Sequence, residues 1–216
     1  MRVRGQFTKE GNVKFVGHLD TMRLFQRAIK IANIPVAYSE GFNPHSKVYF
    51  ALPLSVGVSS VGEYIEIKTT ADIDLEEARH ALNKVLPIGI KLTSLFEVIE
   101  GTPTLMSQVN AAAYVIIIED EDIDKVNNIL NQPKIMTTKM NKKKKQVELD
   151  IKPLILDYSL SKNEDAVVMQ VKLLAGSTKN LSPDLLVNTI GKDLDYHVKR
   201  LDLYTLEDDE MVSLNA

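Results

Sequence analysis

The sequence predicts an α+β protein made of two tandem ferredoxin-like (βαββαβ) modules with antiparallel sheets. Three observations predict it. Short runs alternate apolar and polar residues at period two, amphipathic stretches at helical spacing lie between them, and the same order occurs in both halves of the 216 residues. Residues 1–100 are read as the first module, 105–206 as the second and 207–216 as an acidic tail, with 100–104 as a linker.

In the first half, Arg2 to Phe7 alternates as a half-buried strand, and Lys9-Glu10-Gly11-Asn12 supplies turn residues. Val13 to Val16 reads as a short strand. From Thr21 to Ala32 the residues Met22, Phe25, Ile29 and Ala32, widened by Leu24 and Ala28, recur at helical spacing. Asp20 is placed to cap this helix, and Pro35 ends it. Its opposite face carries Arg23, Arg27 and Lys30. Val48 to Leu52 and Gly62 to Thr69 read as strands, Asp74 to Leu86 as a helix and Gly89 to Val98 as the closing strand.

The second half repeats the order. Ala112 to Ile118 is a strand, Ile123 to Leu130 a helix, and Ile135 to Met140 with Gln146 to Ile151 a hairpin whose tip is lysine-rich. Ala166 to Leu174 is a strand. Ser182-Pro183 opens the last helix with a capping hydroxyl followed by a proline that has no amide to satisfy, and Tyr196 to Tyr204 closes the module.

Composition narrows the chemistry. The chain has no cysteine, so it offers no disulfide, no thiolate ligand for zinc or an iron–sulfur cluster, and no thiol nucleophile. Met1 to Lys9 lacks the basic-then-apolar run of a secretory signal, and no run reaches the 18 apolar residues of a spanning helix. The expected location is cytoplasmic, without membrane insertion. His18, His45, His80 and His197 are too scattered to imply a metal, and the sequence carries no phosphate-binding glycine loop or dinucleotide fingerprint.

The net charge of −3 conceals segregation. Residues 1–50 hold eight Lys and Arg against three Asp and Glu, whereas residues 51–100 hold four against eight. Local fields of this kind attract polyanions whatever the total. The most unusual segment is the loop Tyr38-Ser39-Glu40-Gly41-Phe42-Asn43-Pro44-His45-Ser46-Lys47, which gathers aromatic, hydroxyl, imidazole and amine groups between strands. Two turns with Phe42 anchored in the core would explain the same residues structurally. A second cluster, His18-Leu19-Asp20-Thr21-Met22-Arg23, sits where a helix begins, and Arg23 suits a bidentate anion contact. Lys142, Lys143, Lys144 and Lys145 form a third feature, suited to a phosphate backbone and blind to sequence.

Phe7-Thr8-Lys9, Gly11, Phe15, His18-Leu19-Asp20, Met22-Arg23, Arg27-Ala28, Pro35 to Ser39, Gly41 to His45 and Lys47 together resemble the radical-SAM-linked protein family. The likeness continues through Leu54, Gly57, Ser60, Glu63 and Val147 to Ile155, with departures at Gly17, Ser46 and Lys30-Ile31. Members of that bacterial family occur fused to, or encoded beside, cobalamin-binding-type radical SAM proteins. The resemblance implies a radical SAM partner that carries the iron–sulfur cluster, S-adenosylmethionine and cobalamin, with no cofactor in this chain. It also implies an RNA or ribosome context.

Three functions follow as expectations. The first is an accessory protein that binds transfer or ribosomal RNA through a basic groove and acts with the radical SAM enzyme. The second is a metal-independent endoribonuclease, since tandem ferredoxin-like modules also look like the enzymes that process CRISPR repeat RNA. In that case His18 or His45 would act as acid or base, with Arg23 or Lys47 stabilising charge. The third is a docking subunit of the radical SAM enzyme that uses Tyr38 and Phe42 as anchors.

Overall fold

The computed structural model of the protein describes residues 1–140, 145–208 and 210–214. In chain order its elements are β1 (Arg2–Lys9), α1 (His18–Ile31), β2 (Val48–Phe50), β3 (Ser59–Lys68), α2 (Leu75–Val85), β4 (Ile90–Glu97) and α3 (Leu105–Gln108). There follow β5 (Ala111–Ile118), α4 (Ile123–Leu130), β6 (Met136–Met140), β7 (Gln146–Asp150), β8 (Ile155–Asn163), β9 (Ala166–Leu174), α5 (Pro183–Ile190), β10 (Tyr196–Glu207) and β11 (Glu210–Ser213). The chain divides into two units, Met1–Val109 with Arg200–Ala216, and Asn110–Lys199. The protein is thus mixed α and β, with mostly antiparallel sheets.

In the first unit β1 pairs antiparallel with β3 and β4, and β2 pairs antiparallel with β3, giving the spatial order β4-β1-β3-β2. Because β2 has only three residues, the rest of that edge of β3 is left for β10. Gly62 permits the approach, since a Cβ there would lie 2.6 Å from the Cα of Asp202. The β1–β3 register sets Val3 opposite Ile67 and Gly5 opposite Ile65, on the face that packs with Phe25, Ile29 and Leu82 of the helices. With a period of two, Arg4 opposite Glu66 and Gln6 opposite Tyr64 occupy the other face.

The aromatic centre of this core is Phe7, Phe25 and Phe50, one each from β1, α1 and β2. Their ring centroids are 4.8 Å (Phe7–Phe25), 5.8 Å (Phe7–Phe50) and 5.5 Å (Phe25–Phe50) apart, all edge-to-face, the arrangement that the ring quadrupole favours. Buried charge is paired. Arg200 grips Glu63 with Nη1 at 3.0 and 3.1 Å from the two carboxylate oxygens. Glu66 accepts from Arg2 at 3.0 Å and from Arg4 at 3.1 Å, and Arg4 also donates to Gln108 at 2.8 Å.

Several elements differ from the sequence expectation. Gly11–Phe15 is a 3-10 turn rather than a strand, entered at positive φ by Gly11 and closed by the Val16 amide donating to the Val13 carbonyl. Lys9, read as a turn residue, ends β1 and is 2% exposed. Its amine donates to the Val16 carbonyl, and burial lowers its pKa against the opposing pull of Glu63. Helix α1 begins three residues before Thr21, with Gly17 at its cap and Thr21 Oγ1 donating to the Gly17 carbonyl at 3.0 Å. Asp20 therefore does not cap the helix; it lies inside the first turn and accepts from Arg23 at 2.9 Å.

The second unit places its strands in the order β8-β9-β5, and β10 follows β5. The pairings β5–β9 and β8–β9 are antiparallel. β6 and β7 pair only with each other as a separate two-stranded sheet, so the hairpin is inserted between α4 and β8 rather than supplying the module's inner strands. β8 itself is the strand that the sequence reading passed over. Residues 207–216, read from charge as a solvated tail, include β11, with Tyr204 opposite Ser213 and Leu206 opposite Met211.

Replacing Glu66 with Gln removes the common counter-charge of Arg2 and Arg4. Stranding a buried guanidinium costs about 3 to 5 kcal/mol, so the urea midpoint should fall sharply at unchanged slope, whereas the exposed Glu97→Gln should stay within about 0.5 kcal/mol. Equal midpoints for the two variants would show that the pairing does not support the fold.

Candidate functional site

The loop after α1 is a built hairpin. Tyr38 and Ser46 form an antiparallel bridge, the Ser39 amide donates to the His45 carbonyl at 2.8 Å, and the His45 amide donates to Ser39 Oγ at 2.9 Å. Below this neck, the Lys47 amide donates to the Ala37 carbonyl at 2.7 Å, the Ala37 amide to the Lys68 carbonyl at 2.7 Å and the Lys68 amide to the Lys47 carbonyl at 3.0 Å. The base of the hairpin is thereby bonded to the end of β3. The tip holds Gly41, whose φ of 115° is reserved for glycine, then Phe42, Asn43 and Pro44.

Between this hairpin, β2 and the outer face of α1 runs a groove of about 530 Å³. Leu19, Met22, Arg23 and Gln26 line it from the helix, and Ser39, His45, Ser46, Lys47, Val48 and Tyr49 from the other side. This lining holds a guanidinium, an amine, an imidazole, two hydroxyls, an amide and a phenol, and no carboxylate. Its positions follow from the core: Phe25 points inward with Met22 beside it at the core's margin, Arg23 and Gln26 lie off that face, and Phe50 points inward, so Tyr49 points to the other side of the strand. Arg23 is paired with Asp20 outside the lining, but both side chains are largely exposed and such pairs are worth little. The guanidinium is available to a stronger anion.

The predicted site residues separate accordingly. Arg23, Ser39, His45 and Lys47 come together in the groove. His18 does not join them; its ring stands edge-on to Phe50 at 5.6 Å and extends the aromatic core. Arg27 lies further along the solvent face of α1, outside the lining. Tyr38 is exposed in the neck, and Gly41, Phe42, Asn43 and Pro44 form the exposed tip. Phe42 is not anchored in the core: its relative exposure of 107% excludes that reading. Lys142, Lys143 and Lys144 lie outside the described residues, and Lys145 is exposed just before β7. Tyr49 and Gln26 are additions that the sequence reading missed; Tyr49 sits opposite Glu66 on a strand whose alternation was legible.

The other face of the first sheet is partly covered, and a second cavity of about 440 Å³ remains there, lined by Arg2, Tyr49, Glu66, Lys68 and residues of α3. Arg4, Tyr64 and Glu66 are buried there by α3 and by the returning C-terminal segment, with Arg4 Nη1 donating to the Leu214 carbonyl and Tyr64 to Asp202 at 2.7 Å. Burial raises the pKa of both Tyr64 and Asp202, as expected of groups shut away from water. Among the described residues no group of three His, Asp or Glu side chains is placed to hold a metal ion, and no helix is long and apolar enough to cross a membrane.

A family described as an uncharacterized protein conserved in bacteria (DUF2344) matches residues 2–183, which include every groove residue and the whole hairpin. The chain belongs to this family. No curated protein matches it. Among solved structures, a chain of a Cbf5-Nop10-Gar1 complex is similar over 94% of this chain and 50% of its own length, at 13% identity and a TM-score of 0.50. That likeness is one of fold, and this chain spans half the length of that one. An unknown protein from Galdieria sulphuraria is aligned over 92% of this chain and 97% of its own at 10% identity, with a TM-score of 0.27.

The two histidines are separable by stability. His18→Ala removes an edge-to-face contact worth about 0.5 to 1.5 kcal/mol and should lower the urea midpoint, while His45→Ala, exposed at the groove, should leave it unchanged. A larger loss in His45→Ala would contradict the assignment of His45 to the surface.

Proposed function

We propose that this protein is an RNA-binding accessory of a radical SAM enzyme, acting in transfer or ribosomal RNA modification. The observation that carries this reading is the groove, which Arg23, His45 and Lys47 line together with Ser39, Ser46 and Gln26, while the Asp20 carboxylate paired with Arg23 lies outside the lining. Such a wall complements a phosphodiester backbone, which guanidinium and ammonium groups bind by neutralising charge and releasing counterions. Supporting it, the stretch from Thr21 to Gly62 holds four Arg and Lys against Glu40 as its one carboxylate. The radical SAM partner is what the resemblance of the His-Leu-Asp and Gly-Phe-Asn-Pro-His segments implies. With no cysteine in this chain, the cluster and S-adenosylmethionine chemistry fall to that partner, and this chain holds the RNA.

Each unit fits a ferredoxin-like module. The first has β-α-β-β-α-β connectivity in the spatial order fourth, first, third, second, and the second repeats it through β5, α4, β8, β9, α5 and the start of β10, with the β6–β7 hairpin inserted. The endoribonuclease reading loses one of its two candidate histidines, because His18 packs against Phe50, and keeps His45 beside Arg23 and Lys47 in the groove.

RNA affinity should fall linearly on a logarithmic salt scale, measured with total transfer RNA. The double reversal Arg23→Glu with Lys47→Glu should weaken binding at least tenfold and reduce the salt slope by about 2, one phosphate contact for each cation. Unchanged affinity and slope would remove the groove from the RNA interface.

A further inference from the structure

We infer that the groove takes unpaired rather than duplex RNA, with a base stacked on Phe42 at the hairpin tip. This rests on the RNA reading above and specifies which RNA. Of the large aromatic side chains exposed among the described residues, Phe15, Tyr38, Phe42 and Tyr49, three lie on the hairpin or on the strand that follows it. An isolated apolar side chain on a surface is ordinary, but Phe42 differs in two ways.

First, it is held out. The neck bonds between Ser39 and His45 and the bridge between Tyr38 and Ser46 keep the hairpin from folding back, and the φ of Gly41 sets the turn that carries Phe42. Second, it is close in the chain to the cationic groove. His45 is three residues away, at most about 11 Å along the chain, and His45 shares its groove with Arg23 and Lys47. A partner that presents flat apolar faces at intervals along a polyanion fits both features, and single-stranded nucleic acid is that partner. In a duplex the base faces are stacked on one another and closed to Phe42.

The chain has no tryptophan, so Phe42→Trp places its single tryptophan at the tip, where it can be excited apart from the tyrosines. The probes are a short oligouridine, the same strand annealed to its oligoadenine complement, and an abasic ribose-phosphate oligomer of equal length. The inference expects Trp emission to be quenched by the single strand and not by the duplex or the abasic oligomer. It also expects Phe42→Ala to weaken single-strand binding about 5- to 100-fold while duplex binding is unchanged. Since Phe42 touches nothing in the core, the loss cannot come from unfolding, and an unchanged urea midpoint checks this.

Salt-dependent binding of all three probes with equal affinity, no quenching and no effect of Phe42→Ala would overturn the stacking inference while leaving the RNA groove intact. Absence of salt-dependent binding to any probe would overturn the RNA reading and the inference with it. Quenching by the purified radical SAM partner alone would overturn the inference in favour of a protein pocket for Phe42.

Discussion

The edge-to-face packing of Phe7, Phe25 and Phe50 is the contact on which the rest of the first unit's arrangement depends. Each ring belongs to a different element, so the cluster fixes α1 against β1 and the short β2 in one step. Because helices and strands turn their neighbours to opposite sides, burying these rings forces Arg23 and Gln26 outward from the helix and Tyr49 outward from the strand. The groove is the outer surface of the same packing. Lys9 secures its start, since its buried amine holds the Val16 carbonyl immediately before the first turn of α1.

Charge then decides which surface remains open. Glu66 gathers Arg2 and Arg4 on the sheet face away from the helices, and α3 and the C-terminal segment cover them. Buried pairs of this kind contribute little net stability compared with apolar packing, but breaking one is costly, which makes the covered face a fixed one. At the edge of the sheet, Arg23, His45 and Lys47 are held by a helix and a hydrogen-bonded hairpin rather than by a long loop.

Much of this was legible in the residues. Helical spacing gave the buried side of α1, alternation gave β1 and β3, and short apolar-rich runs gave β5 and β9. The loop around Phe42 was recognisable because no simple turn needs a histidine and a lysine beside an aromatic. What escaped had physical causes. β8 has no fully buried residue, and from Asp157 onward Tyr158 and Leu160 are its apolar signal. Lys9, Arg4, Glu63, Glu66 and Arg200 look like surface charges one at a time, and their burial depends on partners 62 to 137 residues away in the cases of Arg4 with Glu66 and Arg200 with Glu63. The position of His18 was open for the same reason: a histidine at a helix start is equally suited to an anion or to a ring, and Phe50, distant in sequence, settles it.

Ultraviolet cross-linking of the intact protein to RNA from its own cells, followed by mass spectrometric mapping of the modified peptides, tests the proposed RNA interface most directly. Cross-links concentrated between Tyr38 and Tyr49, with Phe42 and Tyr49 as modified residues, are the expected result. Cross-links confined to other parts of the chain, or none at any salt concentration, would contradict it.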